Sequence, residues 1–209
     1  MIEFLKSLFD PLFHLLSSSL TILHDWGIPW WLCIVMLTVV VRTLLFPLTI
    51  RQAKNMRKMQ ELKPEMDGIR KKHKDDSKKQ QEELMKLYGE RSVNPLGSCL
   101  PLLVQLPIFI TLYYTIRQFE YLESFRTGGL LWFENLTIPD PYFILPVAYV
   151  LMMMASQEIM VRRTNPQQKQ LMRILPIAFG IFLLRFPAGL LVYSLTTTTL
   201  TFFQNLIIY

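Results

Sequence analysis

The sequence predicts an all-α membrane protein: five transmembrane helices, an N-terminal interfacial helix and a cytoplasmic helical hairpin. Three observations predict it. Of 209 residues, 51% are hydrophobic and 18% are charged, where soluble domains carry about 25% charge. The apolar residues gather in runs near the length that spans about 30 Å of hydrocarbon. The charge is concentrated instead of spread: thirteen of the 22 lysines and arginines fall in residues 51–95.

Residues 1–25 have the pattern of an amphipathic helix in the membrane interface. Glu3, Lys6, Asp10, His14, Ser17, Thr21 and His24 recur every three or four positions, and leucines and phenylalanines fill the remainder. Asp10-Pro11 suits a helix start, with Asp as N-cap and Pro at the first position. A short signal anchor is the alternative reading. Trp26, Trp30 and Trp31 mark the outer interface, where indoles collect.

The first span is 26–50, with one charge, Arg42. The second, 96–116, has none. The third, 142–160, ends in the polar Ser156-Gln157-Glu158. The fourth, 171–185, is short, and implies either extension into its flanks or a thinned bilayer. The fifth is 187–209, after a tight hairpin at Arg185-Phe186-Pro187. Basic residues favour the cytoplasm. The segments 51–95 and 161–170 are therefore cytoplasmic, and the acidic loop 117–141 is external. The N-terminus is outside and the C-terminus inside, in a multi-pass protein of the bacterial plasma (inner) membrane.

Within 51–95, Met56, Met59, Leu62, Met66 and Ile69 follow heptad-like spacing. Lys74 to Ser77 suits a turn, and a second helix over 78–91 brings Leu84 and Leu87. Pro64 kinks or restarts the first helix. Two readings stay open: a solvated hairpin that sets topology, and a contact surface for anionic or RNA-bearing partners.

Arg42 lies nine positions before Arg51, about 13 Å along a straight helix. A central arginine costs about 2.5–3.5 kcal/mol on insertion scales. No mid-membrane carboxylate is available in the other spans, so a hydrated cavity is the expected environment. Thr38, Arg42 and Thr49 share one stripe. Gln105 in the second span and Tyr193, Thr197, Thr201 and Gln204 in the fifth complete a polar set. A shared groove accounts for all of them, because unpaired hydroxyls and amides are unfavourable in lipid. Helix–helix packing is the competing account of the threonines.

No catalytic function is expected. Cys33 and Cys99 have neither disulfide-framework nor zinc spacing. No phosphate-binding loop appears, and no span holds a Ser/His/Asp, Cys/His or paired-carboxylate set. No cofactor or metal is expected.

Four motifs resemble YidC-type membrane protein insertases. They are Val41-Arg42-Thr43-Leu44-Leu45-Phe46-Pro47-Leu48-Thr49 before the basic segment, Val93 to Phe109 around Asn94-Pro95 and Gln105-Leu106-Pro107, Asp140-Pro141-Tyr142-Phe143-Ile144-Leu145-Pro146, and Phe186-Pro187-Ala188-Gly189-Leu190-Leu191-Val192-Tyr193. The resemblance covers essentially the whole chain, in order. It implies a five-span core whose polar groove opens to cytoplasm and lipid and is closed to the outside. It implies that Arg42 is the groove arginine and that Thr38, Gln105 and Tyr193 face substrate. The implied function is insertion of small membrane proteins without nucleotide hydrolysis. The implied partners are nascent membrane proteins with acidic or polar tails and the lipid bilayer, with the ribosome and the Sec translocon as further candidates and no direct nucleic-acid readout. Ser194 stands where many relatives carry an aromatic residue, which removes an aromatic substrate contact. The ends of the chain suggest a trimmed core. A small-solute transporter or channel and a non-inserting assembly factor are the alternatives.

Overall fold

A computed structural model of the chain describes residues 2–93, 100–161 and 166–208. The Asn94–Cys99 part of the second motif, and Arg162 and Arg163, lie outside the described residues.

Helix α1 (Ile2–Asp25) runs without interruption through Pro11, so Asp10 does not start a separate helix there. An N-cap needs a non-helical backbone, and Asp10 is itself helical. After a turn at Gly27, α2 (Trp30–Leu44) begins at Pro29. Helix α3 (Phe46–Glu61) follows with a bend of 59° at Leu45. The cause is Pro47, which sits in the first turn of α3 and has no N–H to extend the ladder of α2. Residues 26–50 are therefore not one straight rod. Among the described residues no single helix is both long and apolar enough to cross a membrane, and α2 with α3 reaches that measure only as this bent pair.

Pro64 restarts the chain as α4 (Lys63–Lys72). Asp76 then caps α5 (Ser77–Glu90), its Oδ1 accepting from the Lys79 N–H at 3.1 Å. α4 and α5 pack together. Their apolar stripes close on a small core of Leu62, Met66, Leu87 and Val93, with Met59, Ile69, Leu84 and Tyr88 against it. Met56 is not part of this cluster.

The main bundle comprises α2, α6 (Leu100–Gln118), α8 (Ile144–Val161), α9 (Pro166–Leu183) and α10 (Ala188–Ile208). α10 is central: it packs against α8, α2 and α6, while α9 packs on α8 and α1 lies against α6 and α2. Leu190 and Leu191 of α10 are fully buried with Ile34, Ile116, Leu136 and Leu183. Buried threonines in α6 satisfy themselves within the helix: Thr111 donates to the Pro107 carbonyl at 2.7 Å and Thr115 to Thr111 at 2.9 Å.

The segment between α6 and α8 forms a cap over one end of the bundle. It contains a 3-10 turn (Phe119–Tyr121) and the short α7 (Glu123–Arg126). Its carbonyls take the first N–H groups of α10: Ala188 donates to Ile138 at 2.7 Å and Gly189 to Leu136 at 2.9 Å. These donors have no partner inside the helix. A Cβ on Gly189 would come within 3.2 Å of the Leu136 oxygen and Ile116 Cδ1, so glycine permits this close approach. Asp140 does the same for α8: Oδ2 accepts from Leu145 N–H at 2.6 Å and Oδ1 from Tyr142 N–H at 3.1 Å.

Trp30 departs from the expected interfacial belt. It is only 2% exposed. Its ring stacks on His24 at 4.0 Å and meets Phe125 at 5.1 Å and Phe119 at 5.3 Å. Nε1 donates to Ser124 Oγ at 3.3 Å. The cap supplies both an apolar pocket and a hydrogen-bond acceptor, the two things a buried indole needs. Trp26, 74% exposed, remains open.

Candidate functional site

Three helices bring together residues far apart in the chain. Arg42 is in the last turn of α2, close to the bend. Its Nη2 donates to Gln105 Oε1 of α6 at 3.4 Å. Gln105 Nε2 donates to Tyr193 Oη of α10 at 2.8 Å. Arginine can only donate, so Gln105 turns its oxygen to Arg42 and leaves its NH₂ for the phenol. The Arg42 contact is long and therefore weak. Among the described residues no carboxylate pairs with Arg42. The guanidinium keeps donor capacity for something else.

The bend revises the position inferred for Arg42. The 13 Å estimate assumed a straight helix to Arg51. The helix instead turns three residues after Arg42, about 4.5 Å further on. Arg42 thus sits over the carbonyl end of α2, whose partial negative charge favours a cation. Thr49 falls beyond the bend and bonds its own helix, donating to Leu45 at 3.2 Å.

Thr38 lies beside the chain of polar groups, one turn before Arg42. It is 3% exposed, and its hydroxyl donates to the Ile34 carbonyl at 2.6 Å. It therefore contributes shape more than a free hydroxyl. Thr197 is one turn from Tyr193, and its Oγ1 is buried. Gln204 is eleven residues from Tyr193, about 16 Å along α10. It does not join the Arg42–Gln105–Tyr193 chain, and its buried Oε1 has no partner among the described residues. Ser194 bonds back to Leu190 at 2.8 Å.

Next to the polar chain is a small open cleft, lined by Leu16, Ile34, Leu37, Thr38, Val41, Ile108, Leu112 and Tyr193. Its wall is mostly apolar. Polar and apolar surfaces thus meet at Tyr193.

One buried polar contact was not anticipated. Asn205 Nδ2 of α10 donates to Ser156 Oγ of α8 at 3.1 Å. The signal was present: an amide in an apolar run and a serine in the polar triplet at the end of the third run. Among the described residues, no group of three or more His, Cys, Asp or Glu side chains could hold a metal ion.

Residues 22–209 match the model of the family described as 60Kd inner membrane protein. The chain belongs to this family. The resemblance drawn from the four motifs therefore holds. Similar proteins bear the name membrane protein insertase YidC. The one from Marinomonas sp. (strain MWYL1) is 38% identical over 95% of this chain and 35% of its own length. The one from Haemophilus influenzae (strain PittEE) is 40% identical over 95% of this chain and 36% of its own. A solved structure described as an active YidC insertase with the first transmembrane domain resolved superposes with a TM-score of 0.75, at 30% identity. That match covers 96% of this chain and 46% of the other. The chain spans about a third of the length of these named relatives. As a 60Kd inner membrane protein family member it is mostly α-helical, and Arg42, Gln105 and Tyr193 all fall inside the matched region.

Proposed function

We propose that this chain is the core of a membrane protein insertase, which moves small membrane proteins into the bilayer along a groove floored by Arg42, Gln105 and Tyr193. The observation that carries the reading is the Arg42 guanidinium, bonded weakly to a neutral amide and paired with no carboxylate among the described residues. The family and the names of the relatives support it.

In this reading the spans are 26–50, 96–116, 142–160, 171–185 and 187–209. The basic hairpin is cytoplasmic and the C-terminus is inside. The site is Arg42, Thr38, Gln105, Tyr193 and Thr197, with Gln204 further along the same face of α10. The chemistry follows from the barrier. A polar tail crossing hydrocarbon must shed water, and a hydrated groove shortens the dry path. Arg42 attracts acidic side chains where the dielectric is low. The apolar segment then leaves into lipid. α4 and α5 hold together through their own small core, so the hairpin moves as a unit to receive the incoming chain. The ribosome is the candidate source of that chain, through the basic surface of the hairpin, and the Sec translocon is a candidate co-partner.

The test is reconstitution of the chain alone into liposomes with one small single-span substrate carrying an acidic tail. Insertion above that in empty liposomes supports the reading. A chain that instead passes ions or small solutes and inserts nothing overturns it.

A further inference from the structure

α1 is amphipathic, and one side of its apolar surface is covered while Leu15 and Ile22 stay exposed. Leu16 and Leu20 are buried, and Leu23 packs against the core. Asp10, His14, Ser18, Thr21 and Asp25 are exposed on the opposite side. Two contacts define its course. His24 stacks on Trp30, the first residue of α2. Leu16 lines the cleft with Thr38 and Tyr193. Eight residues separate His24 from Leu16, and eight separate Trp30 from Thr38, about 12 Å of helix in each case. α1 therefore runs back beside α2, down to the level of the Arg42–Gln105–Tyr193 chain.

We propose that the face of α2 and α6 beneath Leu16 is a docking surface for an apolar helix of the protein being inserted, and that α1 is its resident occupant. The proposal rests on the insertase reading and names a partner surface within that site. The wall under Leu16 is Ile34, Leu37, Val41, Ile108 and Leu112, a surface that already seats a leucine stripe. It adjoins Tyr193, so a tail drawn to Arg42 brings its own apolar segment to this wall. Both helices cannot occupy it together. In lipid, exchanging one leucine-rich helix for another is nearly balanced, because acyl chains are as apolar as leucine.

The connection to α2 is suited to release. Gly27 has φ +85° and open space around it, a conformation glycine adopts freely. The turn is held by the Gly27 N–H to the His24 carbonyl at 2.8 Å, by His24 Nδ1 against the Ile28 carbonyl at 2.9 Å, and by the His24–Trp30 stack. These are few, and all lie at one end of α1.

The experiment uses the whole chain in proteoliposomes, with Cys33 and Cys99 replaced by alanine and the pair Leu16→Cys and Ile108→Cys introduced. A short reducible thiol cross-linker then bridges the folded protein. Bridged protein is expected to insert an acidic-tailed reporter about tenfold less than the same protein after the bridge is cleaved, since only the open fraction binds. Recovery on cleavage shows that the fold survived bridging. A photo-crosslinker at Gln105 reports groove entry separately. Equal insertion by bridged and cleaved protein, with Gln105 capturing the chain in both, overturns displacement of α1 and leaves the insertase reading standing. Capture by Gln105 in neither state overturns both.

Discussion

Gln105 donates to Tyr193 across 88 positions of sequence, at 2.8 Å. This bond orients the amide so that its oxygen faces Arg42. Gln105 is thus the joint between the cationic end of the groove and the apolar cleft, and its substitution separates two roles. Gln105→Glu puts a carboxylate against Arg42 and occupies the guanidinium. Insertion of acidic-tailed substrates is expected to fall, while substrates with neutral tails are less affected. Gln105→Leu leaves Arg42 unpaired, so acidic tails are still attracted. Parallel reporters with acidic and neutral tails check the contrast.

Arg42→Ala removes the one cation of the polar chain. Insertion of acidic-tailed substrates is expected to drop about tenfold, the effect of about 1.4 kcal/mol. Arg42→Lys keeps the charge and is expected to retain much of the activity. Full insertion of every substrate by Arg42→Ala would show that the electrostatic role is not required.

The Asn205–Ser156 bond ties α8 to α10 inside the bundle. Such interhelical bonds average about 0.6 kcal/mol in a membrane protein. Asn205→Ala and Ser156→Ala are each expected to lower stability modestly, and the double variant by little more than one single. A double-mutant cycle on unfolding in mixed micelles measures the coupling. Additive losses would mean the bond contributes nothing.

Trp30 joins α1, α2 and the cap through His24, Phe119, Phe125 and Ser124. Trp30→Ala leaves a cavity and is expected to cost about 3–5 kcal/mol. Trp30→Phe keeps most of the contact and is expected to cost less. Thermal unfolding of the purified protein gives the order.

The hairpin core is separate from the bundle core. Leu87→Asp buries a charge between α4 and α5. It is expected to open residues 51–93 to protease while the bundle stays resistant. Limited proteolysis in vesicles checks both halves.

Residue order alone was enough for the mostly helical character and the division into two zones, because 3.6-residue periodicity and apolar run length are local properties, but not for where helices begin and break, since Asp10 starts none and residues 26–50 hold two. Pro64 restarted a helix and Asp76 capped one through backbone rules that need only near neighbours. It also marked Arg42, Gln105 and Tyr193, since a polar side chain in an apolar run stands out without any knowledge of its partner. Periodicity says which face a residue occupies and not what lies opposite. Only the tertiary structure decided that Gln105 links Arg42 to Tyr193, that Gln204 stands about 16 Å away, and that Thr38 spends its hydroxyl on its own helix. The same limit hid the burial of Trp30, which depends on a cap nearly a hundred residues downstream. Pro47 was visible in the sequence, but the 59° direction of the bend at Leu45 was not. A proline removes a hydrogen bond wherever it occurs, whereas the angle that results is set by what the two half-helices pack against.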